Sequence, residues 1–192
     1  MVDYSWVSNG TASHFMIGYK DSQGDGGDPT SWPMVYNALW LRLLGFLDLI
    51  PNQASLFSQM ETFYSTYKLD TYGLPLNSRK MYTKDDWQTF LAAFYYDTAT
   101  PPQPSAFSTT LFNKLYTLAN VTTSREPLSD WTSTGTPTAV GFSARPVYGA
   151  MYTPVLVSQA ASLGLGDPLN PAIARANQAF REVHARRAAG KA

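Results

Sequence analysis

The chain has 192 residues, 44% of them hydrophobic and only 15% charged, and its 14 basic and 14 acidic side chains give a formal net charge of zero. This length suffices for one domain with a hydrophobic core, and the aromatic content excludes a disordered chain. A neutral chain lacks the basic surface of a nucleic-acid binder, and the absence of cysteine excludes disulfides, thiolate zinc ligands and a cysteine nucleophile.

Residues 1–30 predict an irregular lead-in that ends in an acidic, glycine-rich insert over residues 21–28. A helical domain over residues 31–185 and a basic tail over residues 186–192 follow. Six helices are predicted in chain order from capping residues, prolines and apolar periodicity. They run over about 31–49, 53–69, 84–96, 105–119 and 146–163, and the sixth opens at Pro168 and Pro171.

The predicted helices alternate in character. The first, third and fifth are apolar nearly all round, which indicates burial on several sides, whereas the others carry one apolar face. No alternating strand pattern is present, and no apolar run reaches the roughly 18 residues of a membrane span. We therefore expect an all-α fold of three helical hairpins, with inner and outer layers and no membrane contact.

Polar and aromatic residues precede each predicted inner helix, over residues 28–32, 79–87 and 130–146. Because the inner helices of stacked hairpins run in the same direction, these three clusters are expected at one rim. Helix N-termini there would attract a carboxylate.

One of these clusters belongs to a longer string, YGLPLNSRKMYTKDDW over residues 72–87, which resembles a string characteristic of the fungal glutaminase A family. Two further matches follow in the same order: PLSDW at residues 127–131 and GFSARPVYG at residues 141–149. Thr132 departs from the pattern, since family members often have tyrosine there.

The resemblance implies a secreted or cell-wall-associated amidase that acts on glutamine and whose helical module is a six-hairpin (α/α) toroid. Three hairpins would form the C-terminal half of that toroid, so we expect a fragment that needs a partner chain or a second copy to cover its open flanks. Sequons at Asn9 and Asn120 are candidate glycosylation sites.

Two carboxylates are the candidate catalytic groups. Asp86 would act as a general base at a helix N-terminus, or would close a capping box with Thr83. Asp130 would be the second member of an acid–base pair, or would form an Asx-turn. Both interpretations are open for each residue.

The candidate substrate-binding residues surround these carboxylates in the sequence. Arginine binds carboxylates with a bidentate fork, so Arg79 and Arg145 would orient the substrate unless they pair with Asp86 or Asp130. The aromatic candidates would line the cleft or belong to the core. The remaining candidates are Tyr82, Lys84, Trp87 and Trp131.

Nothing in the sequence calls for a metal or an organic cofactor, and neither His14 nor His184 suggests a triad. A second hypothesis is a glycoside hydrolase or carbohydrate-binding toroid, whose tryptophans would stack on an oligosaccharide. A third is an inactive fragment that survives by pairing with another chain. The small-molecule substrate is therefore expected to be glutamine or an oligosaccharide.

Overall fold

A computed structural model describes residues 5–18, 27–96, 103–122, 129–159, 178–179, 181–183 and 185. Most of these residues are helical. The α-helices are α1 (Ala38–Leu43), α2 (Gln53–Tyr67), α3 (Asp85–Phe94), α4 (Ala106–Val121) and α5 (Thr153–Gln159), with 3-10 segments at Gly10–Ala12, Leu47–Leu49 and Pro146–Tyr152. None of the helices in these ranges is long and apolar enough to cross a bilayer.

Three of the predicted helices, those now labelled α2, α3 and α4, lie where the sequence places them. Helix α3 is buried on several sides, whereas α2 and α4 bury one face each. The Ser105 side chain accepts a hydrogen bond from the Ser108 N–H and caps α4. Helix α3 packs against α1, α4, α5 and the 3-10 segment before α5, so it is the centre of the described fold.

The prediction of one long first helix over residues 31–49 is wrong. Only α1 and the 3-10 segment Leu47–Leu49 are helical there, because the backbone of residues 32–35 makes tertiary contacts instead. Pro33 bridges to Asn77, and the Met34 N–H donates to the Leu76 carbonyl at 2.8 Å. The Tyr64 hydroxyl, buried on α2, accepts from the Val35 N–H at 3.1 Å and donates to the Pro33 carbonyl. These partners replace the intrahelical bonds that a helix would offer.

The prediction of an all-α chain is wrong in one respect, because the described residues contain two small antiparallel sheets. Strands β1 (Trp6–Val7) and β2 (His14–Phe15) form one, and β3 (Tyr82–Lys84) and β4 (Trp131–Ser133) form the other. Strands of two or three residues are too short to show an alternating pattern in sequence.

The lead-in is therefore ordered over residues 5–18 rather than irregular. His14 is buried and stacks on Phe63 of α2 with ring centres 4.3 Å apart, and the Phe15 N–H donates to Met60 Sδ at 3.3 Å. The hairpin β1–β2 thereby packs against α2. Most of the acidic insert, His184 and the basic tail lie outside the described residues.

The predicted first and fifth helices are less buried than expected. The fifth begins as a 3-10 segment at Pro146 and becomes α5 at Thr153. Trp40 on α1 is 45% exposed, Tyr152 at the end of the 3-10 segment is 73% exposed, and Val155 on α5 is 59% exposed. The apolar faces of these two helices are thus only partly covered, unlike the face of α3. Of the sixth predicted helix, the described residues 178–179, 181–183 and 185 are helical.

We predict that Tyr64→Phe lowers the free energy of unfolding by about 1–3 kcal/mol, because it leaves the Val35 N–H and the Pro33 carbonyl, which lie against the buried Tyr64 ring, without their hydrogen-bond partner. Urea denaturation followed by circular dichroism measures the change. Tyr116→Phe on α4 is the matched control, since this side chain is 69% exposed. Equal stability of the two variants would contradict the assigned role of the Tyr64 hydroxyl.

Candidate functional site

The hairpin of β3 and β4 brings together two of the clusters expected at the rim. Lys84 pairs with Trp131 in the register, and Tyr82 pairs with Ser133. Immediately after β3, the Asp85 N–H donates to the Asp130 carbonyl at 3.2 Å. The pairing therefore sets the N-terminus of α3 beside the loop that carries Asp130.

Asp85, the first residue of α3, has a hydrogen-bond contact at each of its two carboxylate oxygens. It is 2% exposed, and its Oδ1 accepts from the Thr132 hydroxyl at 2.9 Å. Its Oδ2 lies 2.7 Å from the Tyr148 hydroxyl oxygen. Burial, with a smaller contribution from the charges of Asp86 and Asp130, raises the pKa of Asp85 to about 6. The hydrogen bonds with Tyr148 and Thr132 act in the opposite direction and lower this pKa.

Asp86 is buried beside it, but it does not close a capping box. The N-cap of α3 is Lys84, which makes no side-chain cap, and Thr83 lies in β3 with its hydroxyl unpaired. Asp86 Oδ1 also has no hydrogen-bond partner, and Lys84 Nζ lies 3.9 Å from it. Burial raises the pKa of Asp86, while Lys84 lowers it to a smaller extent.

Asp130 is fully buried, and neither of its carboxylate oxygens has a hydrogen-bond partner, so the Asx-turn interpretation is wrong. Arg145 Nη1 lies 3.5 Å from Oδ2, and the Arg145 side chain is 47% exposed. Gly141 packs closely against Asp130, since a Cβ added there would lie 2.6 Å from Oδ1. The chain reaches Arg145 through Ala144, whose φ of 56° is uncommon for a residue other than glycine.

Aromatic rings and Lys84 form the wall beside these carboxylates. Tyr82 and Trp131 stack with ring centres 4.9 Å apart, and Trp87 stacks on Tyr36 at 3.8 Å. Lys84 Nζ lies 5.0 Å from the centre of the Trp87 ring and 5.9 Å from that of Trp131. Lys84 thus lies among the two tryptophans and Asp86.

Arg79 is separate from this group in the described contacts. It is exposed in the turn before β3, where its N–H donates to Asn77 Oδ1 at 2.9 Å. Its charge contributes to lowering the pKa of Asp28, after the hydrogen bonds from Thr30. Among the described contacts, the alternative of pairing with Asp86 or Asp130 therefore holds for Arg145, which pairs with Asp130, and not for Arg79.

Seven of the eight predicted site residues are joined by contacts, and the sequence analysis missed Asp85 and Tyr148. A signal for both was present. Asp85 stands next to Asp86 in the string over residues 72–87, and Tyr148 lies inside the GFSARPVYG segment. Thr132, noted only as a departure from the family pattern, supplies a hydrogen bond to Asp85.

The arrangement is suited to proton transfer. Two buried carboxylates, whose oxygens lack hydrogen-bond partners, lie near two cations. Burial raises the pKa of Asp86 above that of an ordinary aspartate, which favours a role as a proton donor or acceptor. Within the described ranges, no three His, Asp or Glu side chains are placed to hold a metal ion. A surface cavity of about 440 Å³ lies elsewhere, at the start of α2, and is lined by residues 50 and 52–55.

Comparison with known proteins gives two matches. The family model described as "Glutaminase A six helical-hairpin domain" matches residues 4–155. Glutaminase A of Aspergillus oryzae is 34% identical over 122 residues, which are 62% of this chain and 16% of that protein. The chain therefore spans a small part of the relative's length. No solved structure matches the chain.

We predict that Gly141→Ala lowers the free energy of unfolding by about 1–3 kcal/mol, because the new methyl group overlaps Asp130 Oδ1 and the Trp131 side chain. Urea denaturation measures the loss, and near-ultraviolet circular dichroism reports the displaced tryptophan. Gly149→Ala is the control, since a Cβ there meets no atom within 4 Å. A Gly141→Ala chain as stable as the control would refute the close packing at Asp130.

Proposed function

Because the chain belongs to the family of the glutaminase A six helical-hairpin domain, we propose that it is part of an amidohydrolase that converts L-glutamine to glutamate and ammonia. Support comes from the family match and from the group of carboxylates and cations at the N-terminus of α3. The activity is proposed for the whole enzyme, of which a chain of this length supplies one portion.

The observation that carries the proposal is the pair of buried carboxylates, Asp86 and Asp130, whose oxygens face cations but lack hydrogen-bond partners. In this reaction one carboxylate removes a proton from water as the water oxygen attacks the side-chain amide carbon. A carboxylic acid then protonates the departing nitrogen, so that ammonia leaves and a carboxylate remains. The raised pKa of Asp86 favours proton exchange closer to neutral pH than an ordinary aspartate allows.

Arg145 and Lys84 are the proposed substrate-orienting cations. The half-exposed Arg145 guanidinium can turn toward solvent and take the α-carboxylate of glutamine with two parallel hydrogen bonds. Lys84 supplies a second positive charge beside Asp86. The aromatic rings beside the carboxylates, which would bound the substrate, are those of Tyr82, Trp87 and Trp131. We assign no role in substrate binding to Arg79, because it lies in a separate turn.

The carbohydrate hypothesis finds less support at the same residues. A sugar ring stacks on an open aromatic face, but Trp87 is stacked on Tyr36 at 3.8 Å and Trp131 on Tyr82 at 4.9 Å. Lys84 lies near both tryptophan rings as well. These neighbours occupy the surface that an oligosaccharide would need.

For the architecture we propose three hairpins of an (α/α) toroid in a secreted or cell-wall-associated protein. Buried α3 between α1 and α5 fits the middle inner helix of such a set. The exposed Trp40, Tyr152 and Val155 then lie on the two flanking inner helices. Further hairpins, from a longer chain or from a partner chain, would cover these flanks.

The test replaces the matching segment of the Aspergillus oryzae protein with that of this chain and measures ammonium release from L-glutamine, alongside the 192-residue chain alone. We expect the exchanged protein to release ammonium, and Asp86→Asn or Asp130→Asn to lower kcat by at least about 100-fold. Asp70→Asn is the control, because the Asp70 side chain lies outside this group of residues and, among the described hydrogen bonds, accepts from the neighbouring Thr71 N–H alone. Undiminished release in both site variants would refute the roles of Asp86 and Asp130.

The pH profile tests Asp86 separately. If Asp86 is the general base, kcat/KM falls as the pH decreases through its pKa, because the protonated form cannot accept a proton. Lys84→Met removes the charge that lowers this pKa and should move the acid limb of the profile to higher pH. Lys80→Met, at 5.8 Å from the Tyr82 ring centre, is the control. An acid limb that Lys84→Met leaves in place would assign the base to another group.

A further inference from the structure

The hydroxyl group of Tyr148 lies between two oxygen atoms. It is 2.7 Å from Asp85 Oδ2 and 2.6 Å from the Ser129 backbone carbonyl oxygen. Both distances are those of hydrogen bonds between oxygens, and a carbonyl oxygen only accepts. A phenol has a single proton, so it can donate to one of these two neighbours but not to both.

The number of protons decides the state of Asp85. If its carboxyl group were ionised, Tyr148 would donate to it, and the Ser129 carbonyl would face the phenol oxygen without a proton between them. If Asp85 is a carboxylic acid, it donates to Tyr148, and Tyr148 donates to Ser129, so each short contact contains a proton. Oδ1 of Asp85 remains free to accept from the Thr132 hydroxyl at 2.9 Å.

We propose that Asp85 keeps its proton in the folded chain at mildly acidic pH and is a positioning residue, which holds the site together through a proton relay to Tyr148 and Ser129. The relay joins the first turn of α3 to the 3-10 segment and to the residue before Asp130. Asp85 is also bonded to two neighbouring parts of the chain. Its Oδ1 accepts from the Thr132 hydroxyl of β4, and its N–H donates to the carbonyl of Asp130 in the loop before β4.

The neighbouring charges favour the same state. Asp86 and Asp130 are the acidic groups that act on Asp85, and each has one cation beside it, Lys84 at 3.9 Å and Arg145 at 3.5 Å. A neutral Asp85 leaves this group with two negative and two positive charges. An ionised Asp85 would add a third buried negative charge for which no further cation faces it among the described residues. Burial accordingly raises its pKa to about 6.

The consequence is a stability that falls as the pH rises. The unfolded chain loses the Asp85 proton near its ordinary pKa of 3.8, whereas the folded chain keeps it to about 6. Between these values unfolding releases a proton, so the stabilisation is complete below the lower pKa and is lost as the pH increases through the higher one. The unfolding equilibrium constant should rise by up to about tenfold per pH unit in this window from Asp85 alone.

Urea denaturation of the 192-residue chain at pH 4, 5, 6 and 7 tests the relay, with Asp85→Asn as the main variant. The asparagine amide can donate to Tyr148 at every pH and its oxygen can accept from Thr132. We therefore expect the rise of the unfolding equilibrium constant with pH that is attributed to Asp85 to disappear in D85N. At pH 7, D85N should be more stable than the wild type. Asp28→Asn is the control, because hydrogen bonds from Thr30 lower the pKa of this exposed carboxylate and it titrates below the window.

Tyr148→Phe gives a second measurement should D85N not fold. It removes the acceptor of the Asp85 proton and the donor to Ser129, so it should raise the unfolding equilibrium constant at pH 4.5, where the relay is complete. Two results would overturn the proposal. One is a wild-type stability that changes with pH in parallel with that of D85N, and the other is a Y148F chain as stable as the wild type at pH 4.5. Neither measurement uses ammonium release, so the result is independent of the proposed function.

Discussion

The buried carboxyl group of Asp85 ties together the parts of the chain that carry the candidate site. One of its oxygens is bonded to the Thr132 hydroxyl of β4, and the other lies against Tyr148 in the 3-10 segment before α5. A charged group in this position would be costly to bury, whereas a protonated one satisfies every neighbour. The placement of Asp86 and Asp130 relative to each other therefore rests on a side chain that is itself proposed to stay neutral.

This view separates two kinds of aspartate at the N-terminus of α3. Asp85 has partners for both oxygens, which is the mark of a structural group. Asp86 and Asp130 are also buried but have carboxylate oxygens without hydrogen-bond partners, and buried polar atoms of this kind call for an explanation. A substrate amide, water and an α-ammonium group are all hydrogen-bond donors that would satisfy them. The unpaired carboxylates and the nearby Lys84 and Arg145 are what an amidase of the proposed kind requires.

The sequence predicts the helices that have a strong apolar periodicity. The predictions are wrong where tertiary contacts determine the local backbone conformation. The apolar faces of α2 and α4 predict these helices. The residues before α1 are not helical, because their backbone groups form hydrogen bonds with the Tyr64 hydroxyl and the Leu76 carbonyl instead. The strands β3 and β4 are three residues long and are separated in the chain by α3 and α4, so their pairing leaves no local pattern. The resemblance identifies Asp86 and Asp130 because the motif contains them. The role of Asp85 depends on Tyr148, 63 positions away, so it becomes visible only in three dimensions.

The carboxyl carbon of Asp85, observed by ¹³C NMR as the pH is varied, tests the proposed protonation of this residue most directly. The account predicts that Asp85 keeps the chemical shift of a carboxylic acid at pH 5, where the exposed Asp28 has the shift of a carboxylate, and that it titrates near pH 6. Titration of Asp85 at or below its ordinary pKa of 3.8, together with Asp28, would contradict the relay and the stability profile derived from it.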